Sequence, residues 1–262
     1  MAVAQAPSLQ TWMLEPFAIA LQTDGLWLLG LGALLAGIVR GFTGFGTAMV
    51  YLPVAAQVLD PFEALTSMIV MDIIAPLIHV PRALRDGHPP DVLRLACGAF
   101  IALPLGVLVL AMVEPEVFRW GVSVVALGLL VLLVAGVRYR GKPTSAMIYG
   151  TGLIGGFTGG SVGLPGPPVI ILYMASTLPA AAVRANNTLY LILAELALLA
   201  VFHWNGYLSI PALALGGVLI LPYVLGNWSG AMLFQPNAER FYRNIAYLVI
   251  AGSAIMGLPV WD

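Results

Sequence analysis

Few residues in this chain can do chemistry, and they cluster. One glycine-rich stretch reads Arg40-Gly41-Phe42-Thr43-Gly44-Phe45-Gly46, and a second runs from Gly155 to Pro168 through Gly156, Thr158, Gly159 and Ser161. Where a helix resumes after such an interruption, its first N–H groups are unpaired and its dipole is positive, which makes an anion site. Thr43, Thr158 and Ser161 add hydroxyl donors, Gly44 and Gly46 let a ligand approach the backbone, and Arg40 adds a full positive charge. Two polar pairs, Thr66-Ser67 and Asn186-Asn187, can donate hydrogen bonds to an oxyanion. Asp72 and Glu195 sit in the middle of apolar stretches, where carboxyl groups are costly and usually functional. They are candidates for binding and releasing a proton.

Each residue also has a plainer use. Glycines let helices pack closely, and Arg40 can snorkel to an interface. Asp72 and Glu195 can bond between helices, and Thr66, Ser67, Asn186 and Asn187 suit helix N-caps. His79 and His203 fall near segment ends and read as interfacial. Tyr51, Tyr173 and Tyr190 lie near the breaks or the asparagine pair and read as pocket lining. Gly159-Gly160-Ser161-Val162-Gly163 matches the G-x-S-x-G string of serine hydrolases, but that motif needs a strand-to-helix elbow, a histidine and an acid. Membrane helices flank it here, so no nucleophile is expected. One cysteine, Cys97, makes no internal disulfide, and no Cys/His cluster suits a metal. No cofactor is expected.

The elements that carry these residues follow from composition. The chain has 262 residues, of which 60 % are hydrophobic and 9 % charged, with a mean hydropathy of +0.97. Soluble domains carry about 25 % charge, so this chain reads as an all-α polytopic membrane protein. The net charge of −1 gives no hold on nucleic acid. Ten apolar segments are expected: 20–40, 44–59, 64–80, 92–112 and 117–137, then 145–158, 162–178, 185–204, 207–228 and 241–260. The short ones flank the glycine-rich breaks, where the density of Gly and Pro argues against helix and for broken or re-entrant helices. That makes about 8–10 transmembrane or half-membrane helices by segment length. The N-terminus lacks the basic region of a signal peptide, so no cleavage is expected. Six tryptophans, among them Trp12, Trp27 and Trp204, read as interface anchors. Basic residues after the third, fifth, seventh and ninth segments fall on one side if every segment crosses; only Arg119 opposes them. That side is then cytoplasmic. Two crossings or one re-entrant hairpin at each break satisfy the charges equally.

The two breaks are related. A shift of 115 residues lays Gly37-Ile38-Val39-Arg40-Gly41-Phe42-Thr43-Gly44 on Gly152-Leu153-Ile154-Gly155-Gly156-Phe157-Thr158-Gly159, with Pro53 on Pro168. Leu103-Pro104 echoes Leu221-Pro222, and Phe118-Arg119 echoes Tyr242-Arg243. Five segments per half is an odd number, so the halves are expected to be inverted-topology repeats, the plan of many secondary transporters. The expected organisation is an N-terminal segment, 1–19, a first repeat, 20–140, and a second repeat, 141–262.

On the G-F-T-G-F-G stretch followed by Pro53, its second copy G-F-T-G-G followed by Pro168, and the length and hydropathy, the chain resembles the sulfite exporter TauE/SafE family. The resemblance covers nearly the whole chain and implies a transporter of small anions in a bacterial or archaeal inner membrane. Sulfite, sulfoacetate and other organosulfonates are the substrates it implies. The expected activity is alternating-access export of a sulfur-containing oxyanion, which the membrane potential alone can drive, with proton coupling through Asp72 or Glu195 as an addition. An anion channel of the same architecture, a membrane-embedded enzyme and a structural subunit are the rivals. The expected partners are a small anionic substrate and the lipid bilayer; a homodimer is compatible with the sequence.

Overall fold

The computed structural model describes residues 9–77, 80–135, 143–174, 178–233 and 239–261. Among the described residues there are twelve helices and no strand. They are α1 (Leu9–Leu21), α2 (Leu26–Thr43), α3 (Thr47–Ala55), α4 (Pro61–Leu77), α5 (Val80–Asp86), α6 (Pro89–Met112), α7 (Pro115–Val134), α8 (Ser145–Val162), α9 (Gly166–Met174), α10 (Ala180–Trp204), α11 (Ile210–Leu233) and α12 (Glu239–Met256). Five, namely α2, α6, α7, α10 and α11, contain stretches long and apolar enough to cross a membrane. The nine-residue helices α3 and α9 rise only about 14 Å each, roughly half of a bilayer's hydrocarbon thickness. Large apolar side chains such as Ile101, Leu221 and Leu248 face outward, each about two-thirds exposed or more. An outer surface that apolar has lipid, not water, as its natural solvent.

The helix pattern recurs along the chain. Helices α8, α9 and α10 begin 119 residues after α2, α3 and α4 (Ser145 against Leu26, Gly166 against Thr47, Ala180 against Pro61). In both halves a left-handed glycine, Gly44 or Gly163, ends the long helix and its N–H bonds back into the last turn. A cap of this kind needs positive φ, which glycine adopts without strain.

Glycine also sets the packing. A Cβ added at Gly37 or Gly41 of α2 would lie 2.2 Å from Tyr223 O or 2.5 Å from Asn227 O of α11, and one at Gly226 or Gly230 would strike Leu34 O or Ile38 O of α2. Helices α6 and α8 meet in the same way: Gly98 and Gly106 face the backbone of Tyr149 and Phe157, while Gly152, Gly156 and Gly160 face Leu95, Ala99 and Leu103. Two helix pairs thus touch backbone to backbone, as small residues permit in membranes. Each seam joins the first long helix of one half to the fourth segment of the other. The outer contacts follow: α11 also packs on α4, α10 on α6, α1 on α11 and α5 on α10.

Two expectations need correction. The first segment, set at 20–40, begins at Leu26, because Gly25 in the left-handed region (φ 73°) turns the chain between α1 and α2. The glycine-rich stretches are mostly helical. Only Gly44-Phe45-Gly46 and Gly163-Leu164-Pro165 leave the helix. Low intrinsic helix propensity is overridden where close seams bury the glycines, and Pro167 and Pro168 fall in the first turn of α9, where a missing N–H costs nothing.

Candidate functional site

The two breaks come together. One cavity, of about 40 Å³, is lined by Phe45, Gly46, Thr47, Ala48 and Met49 from the first and by Gly163, Leu164, Pro165, Gly166 and Pro167 from the second. Arg40, Asp72 and Glu195 complete its polar wall, and Met68, Ile170 and Leu191 its apolar one. The volume holds roughly three water-sized groups. Of the residues singled out in the sequence, Arg40, Gly46, Asp72 and Glu195 line this cavity.

The first half supplies the charge. Arg40 Nη1 donates to Asp72 Oδ2 at 3.0 Å, with both side chains buried. Asp72 Oδ1 also accepts from Thr47 Oγ1 at 3.3 Å and from the hydroxyl of Tyr223 on α11. The Thr47 and Tyr223 hydroxyls lie 3.2 Å apart. Arg40 is therefore not snorkelling; it neutralises a carboxylate, which in turn is held by three side chains from three helices. Removing one partner of such a buried pair typically costs about 3–5 kcal/mol, because the other charge is left stranded.

Above this network, α3 starts without a side-chain cap. Val50 N already bonds Gly46 O, so Thr47, Ala48 and Met49 carry the N–H groups that a helix cannot satisfy internally. In α9 the equivalent positions are Gly166, Pro167 and Pro168, and two of the three have no N–H. The half-helix ends face one cavity, yet only α3 offers a full set of donors.

Glu195 is the other carboxyl group. It is 5 % exposed, and its Oε2 has no hydrogen-bond partner. Asp72 and Arg40 are near enough to act on it electrostatically.

The remaining predicted residues do not line the cavity. Gly41 and Gly156 sit in the helix seams, and Gly159 packs on Pro165. Gly44 caps α2. The Thr43 hydroxyl donates to Val39 O and Phe45 O, at 2.9 and 2.7 Å. The Thr158 hydroxyl reaches Ile154 O and Leu164 O, at 3.0 and 2.8 Å. Each threonine thus ties the carbonyl that follows the left-handed glycine back onto the preceding helix. Ser161 bonds Phe157 O within its own helix. Ser67 pairs with Tyr51 at 2.9 Å, and Asn186 Oδ1 accepts His88 N at 2.7 Å, holding the turn before α6. Thr66 Oγ1 and Asn187 Oδ1 are buried without partners. Tyr51 of α3, Tyr173 of α9 and Tyr190 of α10 are buried but do not line the cavity. His203 is exposed, and His79 lies outside the described residues.

Two residues of the site escaped the sequence reading. Thr47 follows Gly46 directly and was open to inference as the first residue of the resumed helix. Tyr223 was not, since 151 positions separate it from Asp72.

Among the described residues no group of His, Cys, Asp and Glu is placed to hold a metal ion. Neither a curated protein nor a solved structure matches the chain. The family described as Sulfite exporter TauE/SafE matches residues 29–257, a stretch that contains both breaks, both seams and every residue of the cavity wall. With that match spanning most of its length, the chain belongs to the TauE/SafE family, a family of multi-span membrane transporters for sulfite and related anions.

Proposed function

We propose that the cavity between the breaks is the site at which a small sulfur-containing oxyanion is held on its way across the cytoplasmic membrane, in the outward direction and by alternating access. The observation that carries this reading is the convergence of α3 and α9 on one cavity, with the three uncapped N–H groups of α3 beside Arg40. Those donors replace part of the water shell of an oxyanion, and the helix dipole adds favourable potential. Sulfite, the anion by which the family is described, is the first candidate. Residues 20–140 and 141–262 act as two inverted repeats in this reading, each contributing one half-helix to the site. The 119-residue recurrence of helix starts (α8 against α2) supports this division.

The test is efflux from proteoliposomes containing the purified full-length protein and loaded in turn with sulfite, methanesulfonate and sulfoacetate. Saturable efflux, fastest for sulfite, is expected. Rates equal to those of protein-free liposomes for all three anions overturn the reading.

A further inference from the structure

We propose that each anion crosses together with one proton, which Glu195 carries. The inference rests on the anion site described above and assigns its coupling.

The two buried carboxyl groups of the cavity are not alike. Asp72 is occupied on both oxygens, by Arg40 on Oδ2 and by Thr47 and Tyr223 on Oδ1. Each of its oxygens already has a hydrogen-bond partner. Glu195 faces the same cavity with Oε2 unpartnered at 5 % exposure. It has the vacant oxygen.

The surroundings of Glu195 leave it little else to answer to. It sits on α10, which packs against α4, α5, α6, α8 and α9. The charged groups that act on it are Asp72 of α4 and Arg40 of α2. Helices α8 and α9 bring no charged side chain, only Tyr149 and Tyr173. The charges of α5 and α6 (Arg82, Arg85, Asp86, Asp91 and Arg94) belong to the end of α10 near Asn186, where His88 N meets it. Glu63 of α4 opens its first turn, away from Asp72.

Charge then decides the coupling. Arg40 balances one of the two carboxyl groups by count of the lining residues, so the cavity carries one negative charge when Glu195 is ionised and none when it is protonated. A monoanion entering alone would double that charge in a water-poor site, where unpaired charge is costly. A monoanion entering with a proton leaves the net charge unchanged. The proton bonds to Glu195 Oε2 as the anion arrives, and that O–H bond breaks again to water on the far side as the anion leaves. No electrons are transferred. Loaded and empty forms carry equal charge through the closed state, so the cycle moves a monoanion without net current. Counter-movement of the proton would instead put the anion beside an ionised Glu195.

Sulfite is a poor probe of stoichiometry, because a dianion plus a proton equals hydrogensulfite. Methanesulfonate stays a monoanion, so any proton that moves with it belongs to the protein. The experiment uses the full chain in proteoliposomes, with a trapped pH dye and the potential clamped by valinomycin and potassium. The expected result is one proton per methanesulfonate and a rate insensitive to potential. Glu195→Gln is expected to lower the proton count to none and to make the flux respond to potential. Saturable methanesulfonate flux without proton movement overturns the inference and leaves the anion site standing. So does a Glu195→Gln protein that still moves protons. If sulfite alone is carried, a Glu195→Gln flux still blind to potential overturns it. Absence of saturable flux for sulfite, methanesulfonate and sulfoacetate alike removes both readings. The wild-type stoichiometry decides the matter even if the variant fails to fold.

Discussion

The two halves share a scaffold and differ in chemistry. Each has a long helix ended by a left-handed glycine, a three-residue break, a threonine that ties the break down and a nine-residue helix. Yet the first break is polar, with Arg40, Thr47 and Asp72, while the second is closed by Pro165, Pro167 and Pro168. Backbone architecture and side-chain function have separated. The scaffold brings both breaks to one place, and one of them supplies most of the donors of the proposed anion site.

That contrast can be broken in several ways. The largest effect is expected from Arg40→Ala, which strands Asp72 in a buried site; the loss is about 3–5 kcal/mol of stability, measurable by thermal unfolding in detergent, together with loss of anion efflux. Gly159, which stands 119 residues on from Arg40 (the offset of α8 from α2), faces Pro165 and carries no charge to lose. The scaffold comparison is tested next. Gly37→Leu and Gly152→Leu each drive a side chain into backbone 2.2 Å away. Both are expected to destabilise by at least about 1–3 kcal/mol, and a large difference between them would deny the seams their equivalence.

The chemical comparison is sharper. Ala48 and Pro167 hold the same place in α3 and α9, 119 residues apart by the helix starts. Ala48→Pro copies the second half's chemistry into the first and is expected to raise the concentration for half-maximal efflux roughly tenfold, about 1.4 kcal/mol, as one charge-assisted hydrogen bond to the anion is lost. Pro167→Ala is expected to change it less than twofold. Smallest is the pair Thr43→Val and Thr158→Val, each about 1 kcal/mol of stability. Unequal losses would show that one break depends on its tie more than the other.

Much of this was readable in the amino-acid sequence. The ten apolar segments each contain a helix, and the G-F-T-G stretches mark both breaks, because glycine and hydropathy report directly on backbone freedom and lipid exposure. The register was harder. The motif shift of 115 aligns Thr43 with Thr158, but the helices recur at 119, since α8 continues for one more turn, Gly159 to Val162, before its capping glycine. Propensity alone stops that helix too soon; only the facing backbone of Leu103 on α6 explains why Gly160 stays helical. The roles of Gly41, Gly156, Thr43 and Thr158 depend on partners across the fold or beyond the break. Tyr223 was hidden for the same reason, having no local signal beyond an aromatic ring in an apolar helix. Arg40, Asp72 and Glu195 stood out because charge in an apolar run always demands an explanation.

The interlocked glycines have a consequence for motion. Helices whose backbones touch residue on residue mesh like gear teeth, so α2 travels with α11 and α6 with α8. These units cut across the division of the chain at residue 140, and a swing of one sequence half against the other would strip both sets of teeth. Gly44 to Gly46 and Gly163 to Pro165 leave the helix and border the cavity, so a bend at either link would also reshape the seat proposed for the anion.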